Sequence, residues 1–262
     1  MAPQLDTLPP EILFSILTYT EPTCDPQLVS YPLNALAETN KQLNSVVEEY
    51  ARGLLKKHAN FTPPKSSKIF TCRKKWLTEI CQFCKKDSKR RATLYPTLTC
   101  CRPCDKEHFP KMTMTIAIQD YYLSKLDLFT PNDLHPHLPP LATGTYSVMG
   151  GVATMISERD VIARRDHIKA LLGSNIEGRN YLRKRIGIHN RIIQHLGIIW
   201  SATRAGWKKA PNLTEMDLEK GPKSMKTEEN RRAYVKKGLQ SEWAAMGMSL
   251  VGTSKESAIE VD

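Results

Sequence analysis

The sequence predicts a mainly α-helical chain, built as an N-terminal three-helix head, a small cysteine-stapled module and a C-terminal helical region. Three observations carry this. Apolar residues recur at helical spacing through residues 8–55 and again through 161–246. Two Cys-x-x-Cys pairs lie close together within residues 81–104. Proline- and glycine-rich stretches at 62–68 and 131–151 punctuate the chain. The expected division is 1–60, 61–130 and 131–207, followed by a linker, a short helix and a disordered tail over 208–262.

With 262 residues, 40% of them hydrophobic, the chain has enough apolar surface for real cores. The opening Met1-Ala2-Pro3-Gln4 has neither a basic nor an apolar run, so no signal peptide is expected. The most apolar stretch, 186–200, is broken by His189, Asn190, Arg191 and His195, which excludes a membrane span there. Seven cysteines, five of them within 81–104, argue against a disulfide framework and for the cytosol or nucleus. The net charge of +11 is uneven: residues 1–50 sum to −6, residues 51–111 to +12 and the remainder to +5.

In the head, Leu8-Pro9-Pro10-Glu11 opens a helix with proline in its first turn, where the missing N–H costs nothing. Leu8, Ile12, Leu13, Ile16 and Leu17 form one stripe. After a proline-punctuated loop over 18–31, Leu33, Leu36 and Ala37, then Leu43, Val46, Val47, Tyr50, Leu54 and Leu55, predict two more helices. A unit this small leaves apolar surface for a partner.

The pattern Leu5-x-x-Leu8-Pro9-x-Glu11-Ile12-Leu13, with Ile16-Leu17 and the later segment 36–44, resembles an F-box. The resemblance covers about residues 5–50. It implies that Leu8, Pro9, Ile12, Leu13, Ile16 and Leu17 dock a Skp-type adaptor, which would place the chain in a cullin-based ubiquitin ligase.

The stretch 62–68 reads as a linker, and Cys72, Trp76, Leu77 and Ile80 as a short helix leading into the first hook. Cys81 and Cys84 face Cys101 and Cys104 across sixteen residues, a spacing at which two hooks close a tetrahedron of thiolates around Zn2+. Four sulfurs leave no open position, so the zinc is expected to be structural. Cys100 is the expected spare thiol, because only Cys101 keeps the two-residue spacing to Cys104. A swap of Cys100 or His108 into the ligand set stays open at this stage. Lys85, Lys86, Lys89, Arg90 and Arg91 make a basic loop that suits solvation, acidic partners or weak, salt-sensitive nucleic-acid contact.

Beyond the second hook, Thr115-x-Ala117, Tyr121, Leu123 and Asp127-Leu128 follow the four cysteines in an order similar to the zinc domain of the xeroderma pigmentosum group A repair family. The resemblance spans 81–128. It implies a helix capped by Thr115 that packs back onto the metal site. In place of that family's interleaved lysines stand Met114, Ile116 and Ile118, so a buried helix is expected here. An F-box-like head joined to this module and a helical tail resembles a group of filamentous-fungal F-box proteins.

The C-terminal region is expected to hold a glycine loop over 144–151 and a helix capped at Ser157. A seam of Leu182, Ile186, His189, Ile193, Leu196 and Trp200 follows, with His189 a hydrogen-bonded core residue. A last helix should start at Thr227 and carry Tyr234, Val235, Leu239, Trp243 and Met246. His135-Pro136-His137 lacks a third ligand for a metal. No nucleophile–base–acid grouping stands out, so a non-catalytic adaptor that recruits a protein substrate is the first expectation. The alternative is a nucleic-acid-binding repair-type zinc protein.

Overall fold

The computed structural model describes residues 5–20, 31–63, 70–148, 150–173, 178–211 and 221–248. Eleven α-helices lie among them, with two small antiparallel sheets. The expected loop over 18–31, the linker at 62–68, part of the linker at 208–226 and the C-terminal tail fall largely outside the described residues.

The first helix, α1 (Pro10–Thr18), begins where expected, with Pro9 at the N-cap in an extended conformation. Helix α2 (Pro32–Thr39) also opens on proline. Asn40 then caps α3 (Lys41–Ala59), its side-chain oxygen accepting from Leu43 N at 2.8 Å, and Asn60 ends α3 in the left-handed conformation. Helix α4 (Cys72–Glu79) packs on α3, and the carboxylate of Glu48 on α3 accepts from the backbone N–H groups of Cys72 and Arg73. Its first-turn donors are thus satisfied by another helix. Helix α5 (Arg102–His108) follows the second cysteine hook.

Packing divides the chain into two units, Met1–Pro110 and Lys111–Asp262. The boundaries expected after residues 60 and 130 both fall inside a unit, for a physical reason. Val47, Ala51 and Leu55 of α3 share one core with Trp76, Leu77 and Ile80, so the head and the approach to the first hook form one body. On the other side, Met112, Ala117, Leu123, Leu126 and Leu128 are built into the core of the second unit.

The second unit opens with strand β1 (Lys111–Thr113) and helices α6 (Met114–Gln119) and α7 (Lys125–Leu128). Strands β2 (Thr143–Val148) and β3 (Gly151–Ser157) form a hairpin that pairs with β1 in the order β1-β3-β2. The glycine loop expected over 144–151 is therefore a hairpin, in which Gly150, at φ +80°, supplies the left-handed turn residue. Ser157 caps α8 (Glu158–Leu172) as expected, with its hydroxyl oxygen accepting from Asp160 N.

Helix α9 (Arg179–Leu196) stops at Gly197, also left-handed, so Trp200 leaves the predicted seam for strand β4 (Ile198–Ser201). Strand β5 (Gly206–Lys209) pairs with β4, and Phe129 stacks on Trp200 with ring centroids 3.7 Å apart. Helices α10 (Lys223–Lys226) and α11 (Glu228–Ala245) complete the unit; Val235, Leu239 and Met246 are buried, Tyr234 and Trp243 half-buried.

Candidate metal centre

The first hook is a tight turn closed by backbone bonds. Cys81 N donates to Lys86 O at 2.8 Å and Lys85 N to Cys81 O at 3.0 Å, while Lys85 takes the left-handed φ of 60° that reverses the chain. The second hook leaves a short ladder in which Arg91 pairs with Thr99 and Cys100 N donates to Arg90 O; it then enters α5, with Pro103 in the first turn. Gln82 N donates to Thr99 O at 3.0 Å and joins the two hooks.

This places the sulfurs of Cys81, Cys84, Cys101 and Cys104 within 4.8 Å of one another, with Cys84 and Cys101 Sγ 3.6 Å apart. A tetrahedral ion with metal–sulfur bonds of about 2.3 Å needs sulfurs about 3.8 Å apart, so the four could hold a metal if the widest separations closed by up to about 1 Å. Cys81 and Cys104 are buried, Cys101 is half-buried and Cys84 is exposed. Burial alone would raise the Cys81 thiol, but backbone amides of Cys101, Cys84 and Phe83 pull it down to about 6. Burial pushes the Cys101 and Cys104 thiols up.

Cys100 stands outside the group. It is fully buried among Ala92, Leu94, Leu98 and Phe109, and burial, with negative charge at Cys81 and Asp105, raises its thiol. His108 is not in the cluster either; its ring stacks on Phe83 with centroids 4.1 Å apart.

The basic loop is partly consumed by the fold. Arg91 Nη1 donates to Leu77 O, Thr97 O and Thr99 Oγ1, and Arg90 Nη2 to Asp105 Oδ2 at 2.8 Å. Asp105 is buried and also accepts from Thr93 N and Thr93 Oγ1. Lys86, Lys89, Arg102 and Lys106 remain exposed.

The stripe on α1 splits in two. Leu13 and Leu17 are 1% exposed and form part of the core, whereas Ile12 at 49% and Ile16 at 39% face out. Pro9 is exposed and Leu8 half-buried. Leu5 at 41% and Tyr19 at 89% extend the outward apolar surface.

In the second unit, the residues matched to the repair family are placed differently from what that resemblance implies. Thr113, not Thr115, caps α6, its Oγ1 accepting from Ile116 N at 3.3 Å. Ala117, Leu123 and Leu128 pack with α8, α9 and α11 residues such as Val161, Ile192 and Leu239. Asp127 is the hub of a buried ionic cluster that the sequence did not announce. Arg185 Nη1 and Nη2 each donate to one Asp127 oxygen at 2.8 Å, and Arg185 Nε donates to Glu242 at 2.8 Å. His135 Nε2 lies 3.0 Å from Asp127, and His189 sits between Ser124 Oγ at 2.5 Å and Glu242 at 3.0 Å.

The signal available was a polar pair, Arg185 and His189, one turn apart on the apolar face of α9. Ser124, His189 and Glu242 line up as a nucleophile, base and acid would, but all are buried and none lines either large cleft of this unit. The network is buried but not fully satisfied, because His189 Nε2, although 3.0 Å from Glu242, has no well-aligned hydrogen bond.

No protein-family model matches the chain, and no match is found among curated proteins or solved structures. No helix among the described residues is long and apolar enough to cross a membrane.

Proposed function

We propose that the chain is a non-catalytic adaptor of a cullin-based ubiquitin ligase, acting in the cytosol or nucleus, with a structural Zn2+ at Cys81, Cys84, Cys101 and Cys104. The observation that carries this reading is the outward half of α1. Ile12 and Ile16 stay exposed while Leu13 and Leu17 hold the helix to its own core, so a preformed helix offers apolar anchors to a Skp-type adaptor. Pro9 sets where that helix begins. Four thiolates favour zinc over hard, oxygen-seeking cations, and full coordination by protein sulfur suits a site that holds a fold together.

Reconstitution tests this directly. Purified chain mixed with a Skp-type adaptor and cullin should elute with them as one complex, and the Ile12→Ala/Ile16→Ala variant should elute alone. Joint elution of that variant would overturn the reading.

A nucleic-acid reading has one observation behind it, the exposed cations Lys86, Lys89, Arg91, Arg102 and Lys106 around the hooks. It ranks second because two of the three arginines there, Arg90 and Arg91, spend guanidinium donors on Asp105 and Thr99 within the fold.

A further inference from the structure

Helices α9 and α11 approach closely at Gly238, where an added Cβ would lie 2.9 Å from Ile192 Cδ1. Bordered by these helices, by Lys125 of α7 and by the end of β5 is a cleft of 1390 Å³. Its apolar lining comes from Ile193, Ile198, Val235, Leu239 and Trp243. Its cations are Lys125, Lys209, Arg231, Arg232 and Lys236, against the single carboxylate of Glu228, which pairs with Arg232. Arg231 donates to Met225 O, and Lys125, Lys209 and Lys236 make no ion pair among the described residues.

We infer that this cleft binds an acidic amphipathic peptide helix, the segment through which a substrate protein is captured; the word substrate here rests on the adaptor reading above. Size argues first. The volume exceeds the roughly 300–1,000 Å³ that small ligands fill, so a macromolecular segment is the better fit. Chemistry decides between segments. Single-stranded nucleic acid needs free aromatic faces for successive bases, but the apolar lining is mainly aliphatic and its two aromatic rings are engaged: Trp243 is half-buried and donates its Nε1–H to Leu134 O, and His195 stacks on Tyr234. A groove beside two packed helices, aliphatic within and cationic at its edges, matches a helix whose leucines point in and whose carboxylates point out.

The test uses the full chain, loaded with Zn2+, and a fluorescein-labelled peptide of about 16 residues, roughly four helical turns, with leucines at heptad a and d positions and glutamates elsewhere. Anisotropy should report saturable binding that weakens with salt. Scrambling the same residues, or replacing glutamate by lysine, should weaken it by about tenfold or more. Lys209→Glu/Lys236→Glu, both at exposed positions, should do the same while circular dichroism stays unchanged.

Equal binding of the scrambled peptide, no effect of the charge reversal, or no binding at all would overturn the inference. So would a single-stranded oligonucleotide that displaces the peptide at lower concentration, since the cleft would then serve nucleic acid. Binding only to a chain shortened to residues 1–248 would give the cleft to the chain's own acidic C-terminal segment, which also overturns it. Skp-type adaptor binding, read separately through Ile12 and Ile16, shows whether the failure is of the cleft or of the adaptor reading.

Discussion

Arg185 grips Asp127 with two parallel bonds of 2.8 Å, and neither side chain is more than 1% exposed. Such a pair adds little against an apolar pair of the same shape, but removing one partner strands the other charge. Arg185→Met is expected to cost the second unit about 3–5 kcal/mol. Arg185→Lys should rescue only part of this, since an ammonium cannot make both bonds and also reach Glu242. Urea unfolding of the full chain followed by tryptophan emission, to which Trp200, Trp207 and Trp243 report from this unit, measures both. A loss below about 1 kcal/mol for Arg185→Met would contradict the hub role.

Acid should loosen the same unit in two stages. Burial lowers the proton affinity of His135 even though Asp127 pulls the other way. Burial would raise Asp127, but Arg185, His135 and His189 hold it well below the usual carboxylate range, and Glu242 is lowered by His189 and Arg185 against its own burial. All three groups bind protons more weakly folded than unfolded, so each contribution is full above the unfolded value and is lost as pH falls through the folded one. The melting temperature should therefore hold at neutral pH, begin to fall below about pH 6.5 with His135, and fall further below about pH 4.4 with the carboxylates. His135→Gln should flatten the first stage and leave the second. A wild-type midpoint constant down to pH 4 refutes the scheme.

Serine at Cys81, Cys84, Cys101 or Cys104 is expected to abolish metal binding, and Cys100→Ala to preserve it, because Cys100 stands outside the sulfur cluster. Structural zinc contributes an apparent 10–16 kcal/mol or so in small peptides, far more than the fold around 80–104 can replace. Chelation should accordingly expose the amides of Cys81, Gln82 and Cys100, which are closed by backbone bonds, to hydrogen exchange. Elemental analysis and exchange mass spectrometry read the two outcomes, and one zinc per chain in any of the four serine variants would exclude the ligand set.

Neighbouring residues on α1 should behave as opposites. Leu13→Ala and Leu17→Ala remove buried side chains and should cost about 2–5 kcal/mol of stability. Ile12→Ala and Ile16→Ala should leave stability within about 0.5 kcal/mol while each weakens adaptor binding by about 2 kcal/mol. Thermal melts beside calorimetric titration with a Skp-type adaptor separate the two classes. If Ile12→Ala melts early and binds normally, the outward face is core that the fold needs.

What the sequence determined by itself is what short-range spacing encodes. A two-residue gap between cysteines sets a turn that presents both sulfurs, and Asn40, Ser157 and Pro10 start helices through atoms within one turn of themselves. Helical periodicity marked Leu13, Leu17, Val47, Leu55, Val235 and Leu239 as apolar without saying what would cover them. Tertiary structure decided the rest, because coverage and charge pairing join residues distant in sequence. Only packing of α1 on the head divided its stripe into a buried and an exposed half, and only packing of α4 on α3 drew residues 72–80 into the first unit. Asp127 and Arg185 stand 58 residues apart, and Arg185 and Glu242 another 57. No local pattern pays the desolvation of three buried charges, so their meeting is visible only once α7, α9 and α11 are brought together.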